Sequence, residues 1–175
     1  YWARIKMEVA LKGHPYCLNS LTDRNALVTS FEIKSRGLDS STFAGAGGAT
    51  KIAISGFDPF NLNPFEDGEN IFQSNPSGAA ALALHGQTIG MGANQAYIQS
   101  AIFPVRYQDF DQNGGLGVVE QFFEKHLDGT VAAEKVDQAW TLSQALPFQF
   151  WVDRFASRYR SGGADNDKRP YIQPP

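Results

Sequence analysis

The sequence predicts an α/β fold with a mostly parallel, twisted sheet. Three segments, 51–55, 97–103 and 137–142, have the length of strands, and the first two are apolar. Helical patterns at 75–86 and 118–127 lie between them. Strands that alternate with helices at this spacing form right-handed βαβ crossovers, which place the strands side by side in a parallel sheet.

The first strand, 51–55, is predicted to be buried and parallel. Its apolar run is too short for a helix, is rich in β-branched residues and ends abruptly at Gly56 and Pro59. Ligands of open parallel sheets bind beyond the carboxyl ends of the strands. The turn there predicts that Phe57 and Phe60 form a wall for a flat, uncharged ligand. Burial of both rings in the core is the alternative.

The helices between the strands have clear boundary signals. Asn75 is the predicted N-cap of the first, Pro76 occupies its first position and Gly86 follows its end. Apolar residues at helical spacing fill one face of 118–127, and Gly129 ends that helix. A histidine stands in the last turn of each helix, where a cation suits the helix dipole.

The part of the chain before residue 51 is predicted to be a helical extension. Two helices are expected in 1–38, with a break at Gly13 and an end at Gly37. A linker of small residues is predicted over 39–50. Its glycine-rich run precedes a strand, whereas a phosphate loop follows a strand and opens a helix. The α/β domain is therefore predicted to occupy 51–175.

Composition limits the classes of function. The chain has 175 residues, enough for one domain with a sizeable core, and its 42% hydrophobic and 13% aromatic content excludes a disordered chain. A net charge of −3 disfavours nucleic-acid binding, which usually requires an excess of Lys and Arg. No apolar run reaches the roughly 18 residues that span a bilayer. We therefore expect no nucleic acid or membrane partner.

The sequence is compatible with more than one compartment and state of assembly. The chain starts at Tyr1 without Met, so a processed product or an incomplete chain is expected. A soluble protein, cytoplasmic or secreted after processing, fits the composition, and a homo-oligomer is left open. The single cysteine, Cys17, excludes an internal disulfide and a multi-cysteine zinc site. Its place at i+3 from His14 is more typical of a small buried thiol than of a nucleophile beside its base.

Segment 109–120 matches the calcium-loop pattern D-x-[DN]-x-[DN]-G-x5-E. Asp109, Asp111, Asn113 and Glu120 would supply the oxygen ligands. However, a strand precedes the segment in place of the entering helix of an EF-hand, and the ninth position is a glycine. Since Asp, Asn and Gly also favour turns, a polar connection between strand and helix is the alternative to a calcium site.

A carboxylate near the end of the chain is a candidate for catalysis. Asp153 stands among Trp151, Val152 and Phe155, and it is followed by Arg154. Partial desolvation beside a cation would suit an orienting acid in a catalytic triad. A structural ion pair is the alternative.

Six motifs, in their order and approximate spacing, resemble the pyroglutamyl peptidase I (pyrrolidone-carboxylate peptidase) family. They are Gly56-Phe57-Asp58-Pro59-Phe60, Asn75-Pro76-Ser77, Phe103-Pro104-Val105, Ser143-Gln144-Ala145, Val152-Asp153-Arg154-Phe155-Ala156 and Asp165-Asn166. The resemblance covers roughly 51–166 and corresponds to the amino-terminal portion of the family. Residues 1–50 have no counterpart in its compact members, although some longer bacterial relatives look similar there.

The resemblance implies a three-layer α/β/α fold, incomplete in this chain, and a cysteine omega-peptidase that removes an N-terminal pyroglutamate without a cofactor. By resemblance, Phe57 and Phe60 flank the pyrrolidone ring, and Gln144 lies beside the same pocket. A lactam is uncharged, so its recognition depends on aromatic faces and a few hydrogen bonds. Asp153 stands where the family has a catalytic Glu that holds and polarises the imidazole.

The chain departs from the family pattern at several positions. Asp153 is one methylene shorter than Glu, about 1.5 Å less reach, and a misplacement of about 1 Å can cost about a hundredfold in rate. Leu146 and Pro147 replace two family glycines, and Gly162 and Gly163 stand where the family has an Arg. The family's Cys and His come after Asp-Asn, so they are expected from outside this stretch, supplied by further sequence or a companion chain.

The sequence thus predicts a component of a pyroglutamyl-peptidase-like enzyme. It would bind a peptide with an N-terminal pyroglutamate and supply the orienting acid Asp153. The alternatives are a catalytically inactive α/β domain that binds a ligand or partner, and a calcium-stabilised secreted domain.

Overall fold

A computed structural model describes residues 2–59, 74–112, 115–129, 131–144 and 152. The helices are α1 (Trp2–Lys12), α2 (Pro15–Leu18), α3 (Leu21–Ser35), α4 (Pro76–Leu84) and α5 (Val118–Leu127). The strands are β1 (Thr50–Phe57), β2 (Thr88–Met91), β3 (Asn94–Phe103), β4 (Asp111–Gln112), β5 (Gly115–Leu116) and β6 (Gln138–Thr141). The predictions on Phe60 and Asp153 lie outside the described residues.

The central sheet has four strands in the order β2-β3-β1-β6. Strand β1 pairs in parallel with both β3 and β6, and β2 pairs antiparallel with β3. The predicted mixed α/β fold with a mostly parallel, open sheet is confirmed. The sequence did not predict β2, a short strand with all four residues exposed that lacks the apolar pattern of a buried strand.

Apolar side chains of the sheet form two clusters, which follow the alternation of a strand. Ile52 and Ile54 of β1 join one cluster with Ala81 of α4. Ala53, between them in sequence, joins the other with Phe122 of α5. The helices predicted between the strands, α4 and α5, are thus confirmed, and each packs against a different set of strand residues.

The amino-terminal part contains three helices rather than the two expected. The predicted break after α1 is present, but Pro15 begins α2, because proline is well suited to the first position of a helix. His14 caps this helix by accepting a hydrogen bond from the Tyr16 amide, and Ser20 caps α3 through the Asp23 amide. Cys17 is buried and free, as expected for a small core thiol.

The segment predicted to be a linker of small residues, 39–50, contributes to the core. Phe43 is only 2% exposed, and Ala46 is buried in the same cluster as α5. The Phe43 ring meets the His126 ring edge-on, with 5.3 Å between centroids. The segment therefore joins α3 to β1 as a packed connection. Among the described residues, no helix is long and apolar enough to cross a membrane.

His126, in the last turn of α5, is fully buried, which corrects the expectation of a cation at this helix end. Its Nδ1 lies 3.1 Å from the Glu134 carbonyl oxygen, whereas its Nε2 has no hydrogen-bond partner within the described part of the chain. Burial lowers the pKa of His126 below its ordinary value of 6.5, although the bond to Glu134 opposes this shift. A neutral imidazole is therefore favoured in the folded state.

This buried imidazole should make stability depend on pH. Because the folded-state pKa is lowered, the unfolded chain binds more protons, and stability is fully present above about pH 6.5 and lost as the pH falls toward the folded pKa. His126→Phe keeps a ring between Phe43 and Phe122 but cannot be protonated. Urea unfolding between pH 5 and pH 7.5 should show a flatter dependence on pH for this variant. Identical slopes for variant and wild type would contradict the prediction.

Candidate functional site

The carboxyl ends of β1, β3 and β6 lie at one edge of the sheet, here called the carboxyl edge. The register pairs Phe57 with Phe103 and Ser55 with Thr141. Beyond the last pair, the Leu142 amide donates a 2.9 Å hydrogen bond to the Ser55 carbonyl. Two motifs that are far apart in sequence, the turn after β1 and the segment at Gln144, therefore begin at neighbouring positions.

The predicted ligand wall is described in part. Phe57 is half-buried and its ring meets Phe103 edge-on, with centroids 6.2 Å apart. Phe103 in turn contacts Phe122 at 5.7 Å. Phe57 is thus supported by the core on one side, and the residue as a whole is only partly buried. Gln144 is exposed, two residues beyond the bond that holds Leu142 to β1.

Close backbone packing sets the position of the turn after β1 against α4. A Cβ at Gly56 would collide with the backbone of Ser77 and Gly78, so only glycine fits this approach. The Phe57 amide donates to Ser77 Oγ at 3.1 Å, and Asn75 Nδ2 donates to the Asp58 carbonyl at 3.0 Å. The start of α4 therefore holds the turn through both backbone and side-chain contacts.

A hydroxyl near the carboxyl edge lacks a partner. Ser55 Oγ is buried and has no hydrogen-bond partner in the described portion of the structure. Its side chain alternates with Ile54 and therefore lies on the same strand face as Ala53, which packs toward α5. A buried hydroxyl without a bond costs about 1–3 kcal/mol, so this site favours a partner from elsewhere in the protein or from a ligand.

A cluster of arginines and carboxylates lies where the turn after β1 meets the amino-terminal helices. Its ion pairs join Arg4 to Glu32 and Asp58, Arg36 to the same two carboxylates, and Arg106 to Glu32 and Asp109. Burial tends to raise the pKa of Glu32, but the neighbouring guanidiniums outweigh this effect and lower it overall. The three arginines therefore favour the charged form of Glu32 at the centre of the cluster.

Sequence reasoning missed this cluster. Glu32 and Arg36 have the i, i+4 spacing of a helix ion pair, which was a usable signal. Nothing local relates Arg4 to Asp58, because their contact spans 54 residues and depends on how α1 packs against α3.

The candidate calcium ligands are placed only in part. Both carboxylate oxygens of Asp109 bond Arg106, at 2.8 and 3.2 Å, and burial raises the pKa of Asp109 although Arg106 opposes this. Glu120 Oε2 is buried without a partner among the described residues. Asn113 and the side chain of Asp111 lie outside them. Within the described ranges, no group of three or more His, Cys, Asp or Glu side chains could hold a metal ion.

Comparison with known proteins identifies a family that matches most of this chain. A family model described as "PA0049, C-terminal domain" matches residues 51–174. The chain is also similar to the "Uncharacterized protein PA0049" of Pseudomonas aeruginosa, with 30% identity over 175 residues that cover 95% of this chain. The aligned region spans 31% of the length of that protein. No solved structure matches the chain.

Proposed function

The chain belongs to the family described as PA0049, C-terminal domain, and we propose that the carboxyl edge of its sheet is a pyroglutamyl-binding site of a cysteine omega-peptidase. The observation that carries this proposal is the register of β6 beside β1. It brings the turn with Phe57 and the segment with Gln144 to one edge, as a common pocket requires. The resemblance to pyroglutamyl peptidase I supports the same pair of motifs.

The chemistry of the described edge suits an uncharged ring. Phe57 offers part of an aromatic face, and the amide of Gln144 can donate to a lactam carbonyl or accept from its N–H. A neutral lactam would therefore meet an apolar wall and a neutral amide, and the described acidic and basic side chains beside the turn are already paired.

In the proposed mechanism, this chain supplies binding and orientation. Asp153 would hold the imidazole of a His from outside this stretch, and a Cys thiolate, also from outside, would attack the pyroglutamyl carbonyl. The imidazole would then pass a proton to the leaving amine as the acyl-enzyme forms. The finer form of the fold, a three-layer α/β/α sandwich, is part of the same proposal. It is supported by the separate clusters of α4 and α5.

A protein that contains this chain together with its remaining sequence should release 7-amino-4-methylcoumarin from L-pyroglutamyl-7-amido-4-methylcoumarin. Treatment with iodoacetamide should abolish the release. Asp153→Asn should lower kcat by about a hundredfold or more, because the imidazole loses its orienting acid. Phe57→Leu keeps an apolar side chain but removes the ring face, so KM should rise while kcat changes little.

The matched control for Phe57→Leu is Tyr16→Leu, which removes an exposed ring on α2. It should leave both kinetic constants unchanged. Absence of release from the complete wild-type protein would overturn the peptidase proposal, and release that survives iodoacetamide would overturn its cysteine mechanism.

A second candidate function is binding without turnover. It is favoured by Asp58, which directly follows β1, because two arginines already bond its oxygens and leave it unsuited to act as a base. Saturable binding of 2-pyrrolidone by a complete protein that releases no 7-amino-4-methylcoumarin would support this alternative.

A further inference from the structure

The turn after β1 is held by residues that precede the family domain. Asp58 Oδ1 accepts a 2.6 Å hydrogen bond from Arg4, and Oδ2 accepts a 2.8 Å bond from Arg36. The side chains of Asp58 and Arg36 are 7% and 4% exposed, respectively. Charged pairs this deeply buried lose much hydration, so they persist only when their geometry and their other hydrogen bonds are good.

Glu32 completes the charge balance around Asp58. Its two oxygens accept from Arg4 at 3.0 Å and from Arg36 at 2.6 Å. Each of these arginines therefore bridges one carboxylate of α3 and one carboxylate of the turn. Helices α1 and α3 are joined to the end of β1 by the same two side chains.

Arg36, which bonds Asp58, also completes the hydrogen bonding along the edge of β3. Strand β2 pairs with β3 only as far as Tyr97. Beyond it, the Ile102 amide donates to the Arg36 carbonyl at 2.9 Å, and the Arg36 guanidinium donates to the Ile102 carbonyl at 3.2 Å. Ser41 Oγ donates to the Ser100 carbonyl at 3.1 Å. Backbone groups that a further strand would have paired are thus satisfied by the segment after α3.

All the polar groups of Asp58 are engaged at once. Its amide donates to the Phe103 carbonyl at 2.9 Å, and its carbonyl accepts from Asn75. Its two carboxylate oxygens accept from Arg4 and Arg36. The turn is therefore fixed by β3, by the start of α4 and by the amino-terminal helices, each through a different group.

We propose that Asp58 is a positioning residue, and that Arg36 and Arg4 act through it to fix the Phe57–Asp58 turn at the carboxyl edge. The amino-terminal helices are then part of the binding edge, although the family model begins at residue 51. The consequence for substrate affinity rests on the function proposed above, whereas the fixing of the turn does not.

The test uses hydrogen–deuterium exchange on the complete protein, read over a peptide that covers 55–59. Arg36→Met removes both ion pairs of the guanidinium but keeps the backbone carbonyl that pairs with β3. Exchange over 55–59 should become faster by on the order of 10- to 100-fold, while exchange over 51–54 changes much less. Lys34→Met is the matched control, because Lys34 pairs with Asp39 on the surface and its side chain is 71% exposed. It should leave the exchange over 55–59 unchanged.

Arg36→Lys covers the case in which Arg36→Met fails to fold. Lysine keeps the charge but cannot bond Glu32, Asp58 and the Ile102 carbonyl through one planar fork, so exchange over 55–59 should rise by a smaller factor. Unchanged exchange over 55–59 in a folded Arg36 variant would overturn the proposal. So would an equal rise over 51–54 and 55–59, since that would indicate general loss of stability.

A kinetic measurement separates the positioning role of Asp58 from the proposed peptidase function. Only the effect of Asp58 on substrate affinity rests on that function. If the wild-type protein turns over the pyroglutamyl substrate, Arg36→Lys should raise KM more than it lowers kcat, since the wall moves and the reacting groups do not. An effect on kcat alone would contradict a positioning role. A wild-type protein without turnover would refute the peptidase function, and the exchange result would still decide the role of Asp58.

Discussion

Gly56→Ala is expected to lower the free energy of unfolding by about 3 kcal/mol, because the new methyl group has no space between β1 and α4. The added Cβ would lie 2.7 Å from the Gly78 Cα and would overlap the Ser77 carbonyl group. These are main-chain atoms, so relief requires α4 to move away from the sheet. That movement would also break the bond from the Phe57 amide to Ser77 Oγ. Urea unfolding followed by circular dichroism measures the change.

The matched control for this substitution is Gly48→Ala. A Cβ at Gly48 would meet no atom within 4 Å, and the residue is not among the glycines with positive φ. Its free energy of unfolding should change by less than about 0.5 kcal/mol. Equal unfolding midpoints for Gly56→Ala and the wild type would show that the approach of β1 to α4 is looser than described.

Phe103→Ala is the second substitution with a large expected effect. Phe103 is 1% exposed, and its ring contacts those of Phe57, Phe122 and Phe123. Removing a buried ring costs the lost transfer free energy and leaves a cavity, so the free energy of unfolding should fall by about 3–5 kcal/mol. Because the Phe57 ring packs against the Phe103 ring, the carboxyl edge should also become less ordered. Denaturant unfolding gives the first effect, and exchange over 55–59 gives the second.

Leu18→Ala is the control for the loss of a large apolar side chain. Leu18 is 61% exposed on α2, and its truncation should change the free energy of unfolding by less than about 0.5 kcal/mol. A similar loss of the free energy of unfolding in Phe103→Ala and Leu18→Ala would contradict the burial of Phe103 in the core.

The fold of the sheet could be predicted because each of its signals is local. The run around Ile54 is apolar, short and closed by Gly56, which indicates a buried strand without any knowledge of its neighbours. Asn75 and Pro76 mark the start of α4 in the same way, and the structure shows Asn75 as the cap of that helix. Parallel pairing then follows from the alternation of strands and helices.

The interactions that the sequence did not predict depend on long-range packing. Phe43 stands in a stretch of small residues that resembles a linker, and only its burial beside α5 identifies it as core. In the sequence, Asp58 stands out only as part of a motif, yet its carboxylate bonds Arg4 and Arg36. Neither arginine is within 20 residues of it in sequence, so the ion pairs could not be inferred before the helices were placed.

The residues of the candidate site could be predicted from the sequence, but their packing could not. The residues expected to form it include Phe57 and Gln144, which the structure places at the ends of adjacent strands. The packing of Phe57 against Phe103 was not predicted, because it depends on the exact pairing of β1 with β3. Phe57 is half-buried and packs against Phe103 on one side, and its role as a ligand wall stays a prediction.

Titration of the ¹⁵N-labelled protein with 2-pyrrolidone is the sharpest test of the proposed pocket, because it reports binding at the carboxyl edge without any requirement for turnover. Binding at this edge predicts saturable shifts of the amide signals of 56–58 and 142–144, with weaker binding in Phe57→Leu. Saturable shifts confined to other parts of the chain, or the absence of any shift in these two segments, would contradict it.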